Sequence, residues 1–343
     1  MIGDQLASHR LTELAGKRVL VTGAAGFIGG HLTRRLVAEG ALVSAFVWGA
    51  ADQRALADVA DRVSFYVVDI SQAEAVHAAM AHIQPEIVFH LAAIGTGEPA
   101  ITLPLALRVN VGGTRHLLEA ACRVGIRRLI HTGTAYEYGE VARYDLWNGA
   151  GLDVLGMYAA SKSAAHALVQ EYARADGLPA VSLRLFAVYG PGQSVRSLVP
   201  GAIHAALEGR DFPMTLGEQL RDFVFVGDVV EGYLRAALAV GVEGATLDLG
   251  TGQARSIRDV VLRLFELTGS RSRPLMGTLP YRPDEMMRQV ADQRPARERL
   301  DWQATTLLED GLRQTIEWYR QQSAGDYRLS AISHHPREAV NYA

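Results

Sequence analysis

The chain has a single cysteine, Cys122, in 343 residues, so no disulfide can join two of its own segments. One thiol without a partner fits a reducing compartment, and a cytoplasmic location is the expectation. Runs of about 18 apolar residues, the length that spans a bilayer, do not occur. The first residues, MIGDQLASHRLTELAG, are polar and include acids, and they lack the apolar centre of a secretion signal. Basic residues are not in excess either. The formal net charge is −3, which gives nucleic acid no electrostatic foothold. What remains is a chain with 49% hydrophobic and 21% charged residues, enough for one large or two smaller domains with a full core. Cys122 lies in the apolar helical pattern LLEAACRVG and is expected as a small buried residue.

Short β-branched runs alternate with helical patterns through the first 185 residues or so. The runs are RVLVT (18–22), LVSAFV (42–47), VSFYVVD (63–69), EIVFHLA (86–92), RRLIHT (127–132) and AVSLRLF (180–186). Strands this continuously apolar, separated by helices, predict an α/β fold with a parallel sheet covered on both faces. After residue 186 the regularity loosens, with helical patterns at 227–239, 256–268 and 307–320. The expected division is a first domain over 1–185 plus roughly 222–250, and a smaller second one over 186–221 and 251–325. Residues 326–343 show no period and read as a tail.

The first strand runs into VTGAAGFIGGHL, which places Gly23, Gly26 and Gly29 between a buried strand and an amphipathic helix. Glycine there permits a tight turn and lets backbone N–H groups approach a pyrophosphate at the positive end of the helix. A dinucleotide site ordinarily adds an acid at the end of the second strand for the adenosine ribose. Here Phe46, Val47 and Trp48 occupy that place, and Arg54 lies a few residues on, within reach of a phosphate. The choice between NAD and NADP stays open on these residues, with the balance toward NADP or dual use.

Downstream, GMYAASKSAAHALVQEYARA is a helical pattern that carries Tyr158 and Lys162 four residues apart, on one face. An ammonium beside a phenol favours the phenolate and is expected to lower the tyrosine pKa toward the range of a general acid–base.

With these residues the chain resembles the extended short-chain dehydrogenase/reductase family, in its nucleotide-sugar epimerase/dehydratase branch. The marks are TGAAGFIG, VVDIS, FHLAA, NVGGTRHLLEAA, TGTAYEYG, YAASK, RLFAVYGPG, RDFVFVGD and LDLGTG, spread over almost the whole length. The resemblance implies a doubly wound (Rossmann) cofactor domain with a smaller C-terminal α/β substrate domain, and a homodimer formed through helices at about 105–124 and 157–175. It implies Thr134 as the hydroxyl on the reacting oxygen, Tyr158 as the proton carrier and Lys162 as the group that orients the nicotinamide ribose. It further places Gly23, Gly26, Phe27, Ile28, Gly29, Asp69, Ile70, Leu91, Ala92, Ala93, Thr132 and Phe186 along NAD or NADP. Tyr136, Ala187, Arg221, Arg282 and Asp284 fall at positions that hold a nucleotide-diphosphate-sugar, the two arginines on its phosphates. Ala187 stands where many members carry asparagine, and Pro283 precedes Asp284 where they carry glycine. No metal is implied.

Sugar-nucleotide 4,6-dehydratases of this family follow the catalytic threonine with Asp-Glu, and this chain has Ala135 and Tyr136 there. Without that pair the elimination lacks its acid and base. Glu137 is one place too far along, and an extended segment would turn it to the other side. The Cys and His of C3/C5 epimerases are missing as well. Hydride transfer at sugar C4 is left. The expected activity is that of a 4-ketoreductase, with a C4 epimerase holding NAD tightly as the alternative. A reductase of non-nucleotide carbonyls would not need the arginine segments, and a non-catalytic sensor would not need Thr134, Tyr158 and Lys162 in register.

Overall fold

Val19, Leu20 and Val21 have no exposed surface, although successive side chains of a strand point to opposite faces. Their strand, β1 (Arg18–Thr22), must therefore be covered on both sides. The computed structural model describes residues 12–95, 102–139, 156–282 and 285–324, and it divides them into two compact units. The first comprises residues up to Leu185, Val230–Leu249 and Arg294–Trp302. Its centre is a sheet of β1, β2 (Leu42–Val47), β3 (Val63–Val67), β4 (Ile87–His90), β5 (Arg128–Thr134), β6 (Ala180–Leu185) and β7 (Thr246–Leu249). The strands lie in the order β7-β6-β5-β4-β1-β2-β3, and every neighbouring pair is parallel.

This is the doubly wound arrangement. The order reverses between β1 and β4, and in such sheets ligands bind beyond the carboxyl ends of the strands at that point. Helices α1 (Phe27–Ala38), α2 (Ala50–Arg54), α3 (Ala73–Ile83), α4 (Gly113–Val124) and α5 (Met157–Ala175) connect the strands. On one face Val76, Met80, Leu117, Leu118 and Val169 pack with Val88 and Leu129 of the sheet. On the other, Phe89 of β4 meets Tyr233, with ring centroids 6.4 Å apart.

Local readings change in two places. The segment expected as a helix from 105 runs unbroken from Leu103 to Val124, but its Leu107–Gly112 stretch is a π-turn that precedes α4. Cys122 is exposed, against expectation. It lies seven residues after the exposed Arg115, on the polar stripe of α4, while Leu117, Leu118 and Ala121 take the buried face. Among the described residues no helix is long and apolar enough to cross a membrane.

The second unit comprises Phe186–Val229, Gly250–Gln293 and the residues from Gln303 onward. Compared with the expected division, it gains 222–229 and Gly250 and yields 294–302 to the first unit. Its helices Leu198–Leu207, Ile257–Thr268 and Leu308–Ala324 enclose Phe212, Val261, Leu264, Ile316 and Tyr319. Short pairings cover this core, among them Leu220–Arg221 between Arg255–Ser256 and Arg288–Gln289. Asp222, fully buried, fastens the loops. One oxygen accepts from the Thr251 amide and hydroxyl at 2.8 and 2.6 Å, the other from Gly252 and Ala291 amides at 2.8 and 3.2 Å. The expected tail, 326–343, lies outside the described residues.

Candidate active site

Between β1 and α1 the backbone is folded so tightly that only glycine fits. Gly23 has φ +67°, and a Cβ on it would stand 2.8 Å from the Ala92 nitrogen. A Cβ on Gly29 would overlap the Gly23 carbonyl oxygen. Gly26 precedes α1 without a side-chain cap, so the first N–H groups of α1, those of Phe27 and Ile28, have neither a cap nor an intrahelical acceptor. A dinucleotide's pyrophosphate fits this cradle of bare backbone donors at a helix start.

The strand beside it is fixed by a buried hydrogen-bond chain. Thr22 Oγ1 accepts from the Ala92 amide at 3.1 Å and meets His90 Nδ1 at 2.8 Å, and His90 Nε2 meets Thr114 Oγ1 at 2.9 Å. Burial pushes the His90 imidazole down to about 3, so it stays neutral. Leu91 and Ala92 are half-buried at the β4 end and Ala93 is exposed, which leaves this segment able to border a cofactor. Asp69 is exposed, its Oδ1 accepting from the Ser71 amide at 2.9 Å. The Ile70 side chain is buried against Gly113, where a Cβ would meet its Cδ1 at 2.6 Å. The Thr132 hydroxyl is engaged with that of Tyr233 at 2.6 Å.

At the end of β5 the structure brings Thr134, Tyr136 and Tyr158 together, with Lys162 buried one turn further along α5. The Thr134 hydroxyl lies close enough to the Tyr158 phenol to favour its ionised form. The ring of Tyr136 meets that of Tyr158 edge-on, with centroids 6.1 Å apart. Gly95 lies on this ring too: a Cβ there would be 3.9 Å from it. Asn110 pins the arrangement from the π-turn. Its amide joins the Ile94 backbone at 2.9 and 3.1 Å and Ser161 Oγ at 2.9 Å, and Ser161 donates to the Tyr158 carbonyl at 2.8 Å.

The residues after Thr134 form a short 3₁₀ turn, Ala135–Tyr138, rather than an extended segment. Glu137 is thereby buried, and its Oε1 accepts from the Thr134 amide at 2.9 Å. Its Oε2 accepts from Arg184 Nε at 2.8 Å. Gly133 makes room for this, since a Cβ there would sit 2.8 Å from Glu137 Oε1. The Arg184 guanidinium also lies 4.4 Å from the centre of the Tyr138 ring, whose hydroxyl donates to Asp248 at 2.8 Å. Glu137 is thus the third residue of a capping box, a signature that Thr-x-x-Glu displays in the sequence.

The expected effect of Lys162 on Tyr158 is not what the structure shows. Burial raises the Tyr158 phenol above its ordinary value, and the nearby Thr134 hydroxyl offsets this only in part. Burial pushes Lys162 down to about 8, against the pull of the Glu137 carboxylate. Tyr158 therefore holds its proton at neutral pH.

In the second unit, Ala187 lies in the strand Ala187–Tyr189, with Phe186 half-buried just before it. Arg221 is buried and donates to Glu285 Oε1 at 2.6 Å. Arg282 is exposed, three residues before Glu285, and its carbonyl accepts from the Glu285 amide at 3.1 Å. Asp284 lies outside the described residues. Glu285 was not singled out by sequence reasoning; only the acid-bearing RPDE stretch around it could have drawn attention.

The reversal point of the sheet, the glycine cradle and the Thr–Tyr–Lys group define an enzyme of the extended short-chain dehydrogenase/reductase class. The pattern described as the NAD dependent epimerase/dehydratase family matches residues 19–250, and the chain belongs to that family. It is 33% identical over 315 residues to the UDP-glucose 4-epimerase of Mycolicibacterium smegmatis, covering 89% of this chain and 99% of that one. Among solved structures it is similar to the Thermus thermophilus UDP-glucose 4-epimerase in complex with NAD, at 30% identity and a TM-score of 0.80, over 88% of this chain and 99% of the other. It is 34% identical to MoeE5 in complex with UDP-glucuronic acid and NAD, with a TM-score of 0.80, over 90% and 100% of the two chains.

Proposed function

We propose that the protein transfers hydride at C4 of a nucleotide-linked hexose and does not carry out the elimination of a 4,6-dehydratase. The observation that carries this is the fate of the acids. Ala135 and Tyr136 follow Thr134, and the nearest carboxylate, Glu137, is spent on the Thr134 amide and Arg184. Bound nicotinamide would supply or accept the hydride. Thr134 would hold the reacting oxygen, Tyr158 would give or take its proton, and Lys162 would orient the nicotinamide ribose. Phe27, Ile28 and the three glycines would hold the pyrophosphate of the cofactor.

Two reaction types use this machinery. A 4-ketoreductase releases the reduced sugar and exchanges its cofactor at every turnover. A C4 epimerase re-reduces the ketone inside the site, and the likeness to the UDP-glucose 4-epimerases favours this form. Mass spectrometry of the nucleotide released on denaturing the purified protein separates them. Near-stoichiometric NAD⁺ means the epimerase; an empty protein that binds reduced cofactor on titration and reduces a nucleotide-linked 4-keto-6-deoxyhexose means the reductase. Formation of a 4-keto-6-deoxy product from a UDP- or dTDP-hexose would sink both.

Arg221 and Arg282 would take the substrate diphosphate, and a homodimer through the helices at 105–124 and 157–175 accompanies this reading. Arg221→Ala is expected to raise the substrate KM by about 10-fold or more, the cost of a charged hydrogen bond, with a smaller effect on cofactor affinity. An unchanged KM overturns the diphosphate assignment.

A further inference from the structure

The strand-end acid that grips the adenosine ribose in dinucleotide sites is absent from β2, where Trp48 follows Val47. The structure returns a carboxylate to the same place from further along the chain. α2 begins just after β2, and its Asp52 turns back so that Oδ2 accepts the Trp48 amide at 2.6 Å. β1 and β2 run side by side with Thr22 opposite Phe46, so the glycine cradle and the Trp48 amide leave the sheet from adjacent strands. A carboxylate bonded to that amide lies at the end of β2 beside the cradle. The bond occupies one oxygen; Oδ1 has no partner among the described residues, and Asp52 is half-buried. The backbone beside it is open, since a Cβ on Gly49 would have nothing within 4 Å.

The basic residues nearby do not offer a counterpart for a 2′-phosphate. Arg34 is committed to Asp58, with both carboxylate oxygens at 2.7 Å, and to the Ala55 carbonyl at 2.7 Å. Arg54 is exposed two residues after Asp52, about 200° further round the helix, so the two side chains face opposite ways.

We infer that Asp52 supplies the missing ribose acid, accepting from the adenosine hydroxyls and selecting the dinucleotide that lacks a 2′-phosphate. A fixed negative charge repels the phosphate of NADP, and its free oxygen rewards the hydroxyl of NAD. This rests on the dinucleotide-dependent reading above, and the binding test is independent of the sugar substrate.

The test is titration of the whole protein, freed of any bound nucleotide, with NADH and with NADPH, following nicotinamide fluorescence. The wild type is expected to bind NADH at least about 10-fold more tightly than NADPH. Asp52→Asn keeps an oxygen for the Trp48 amide but removes the charge, and should weaken NADH by about 10-fold while leaving NADPH equal or tighter. Arg54→Ala should change neither by more than about twofold. Thermal melts of both variants check that the fold is kept, and Asp52→Ser provides a second uncharged side chain should the asparagine misfold. A wild type that prefers NADPH, an NADH/NADPH ratio unmoved in the Asp52 variants, or a selective loss of NADPH in Arg54→Ala overturns the assignment. If neither dinucleotide binds the wild type, the cofactor-dependent function falls with it.

Discussion

Turnover by Tyr158→Phe is expected to fall by about 10²–10⁴, the range for losing a positioned general acid. The phenyl ring still packs against Tyr136, so the fold and the substrate KM should change little. In the proposed reaction, what disappears is the proton that would reach the sugar oxygen as hydride reaches C4. The pH profile supplies a second reading. Tyr158 titrates above its ordinary value and stays protonated through the neutral range. Lys162 is the group that changes first, at about 8. Its ammonium is present below that value and lost above it. The wild-type kcat/KM in the reductive direction is therefore expected to be flat through neutrality and to decline on the alkaline side of about 8. Near-normal turnover by the phenylalanine variant, measured as nicotinamide absorbance against time, overturns the role given to Tyr158.

The parts of the molecule that were legible in the sequence are those whose cause is local. β1, β2 and β6 are short runs rich in valine, leucine and alanine and mostly buried on both faces, and such runs announce themselves. The glycine cradle was legible because a buried strand runs straight into an amphipathic helix, and Tyr158 and Lys162 because a spacing of four puts them on one helical face. β7 is only four residues long and was visible only inside the stretch LDLGTG. The π-turn was hidden because Asn110, whose bonds hold it to Ile94 and Ser161, acts through contacts far along the chain.

The same limit governs the charges. Glu137 finds Arg184 and Arg221 finds Glu285 only after folding, and Asp52 reaches the end of β2 only because the helix starts where it does. The direction of the Tyr158 shift was misread for a related reason. Spacing shows which groups are close, but not how much water each has lost, and here desolvation raises the phenol, the Glu137 charge adds to it, and only Thr134 opposes.

Glu137→Ala is expected to destabilise the first unit by about 3–5 kcal/mol, the range for removing one partner of a buried ion pair. Arg184 would be left in the core with its charge uncompensated, and the Thr134 amide would lose its acceptor. Because that amide sets the backbone on which the Thr134 hydroxyl is mounted, activity should fall in whatever fraction remains folded. Glu137→Gln separates charge from geometry. Its amide oxygen can still accept from Thr134, but its nitrogen cannot accept from Arg184. The charge that holds the Lys162 ammonium up is also gone, so the alkaline limb of kcat/KM should move to lower pH than in the wild type. A dehydratase that used Glu137 as its catalytic carboxylate would behave differently. The glutamine variant would lose elimination outright while keeping oxidation at C4. Product analysis of the glutamine variant, with chemical denaturation of both variants, distinguishes the two, and the Arg184 pair commits Glu137 to holding Thr134 in position.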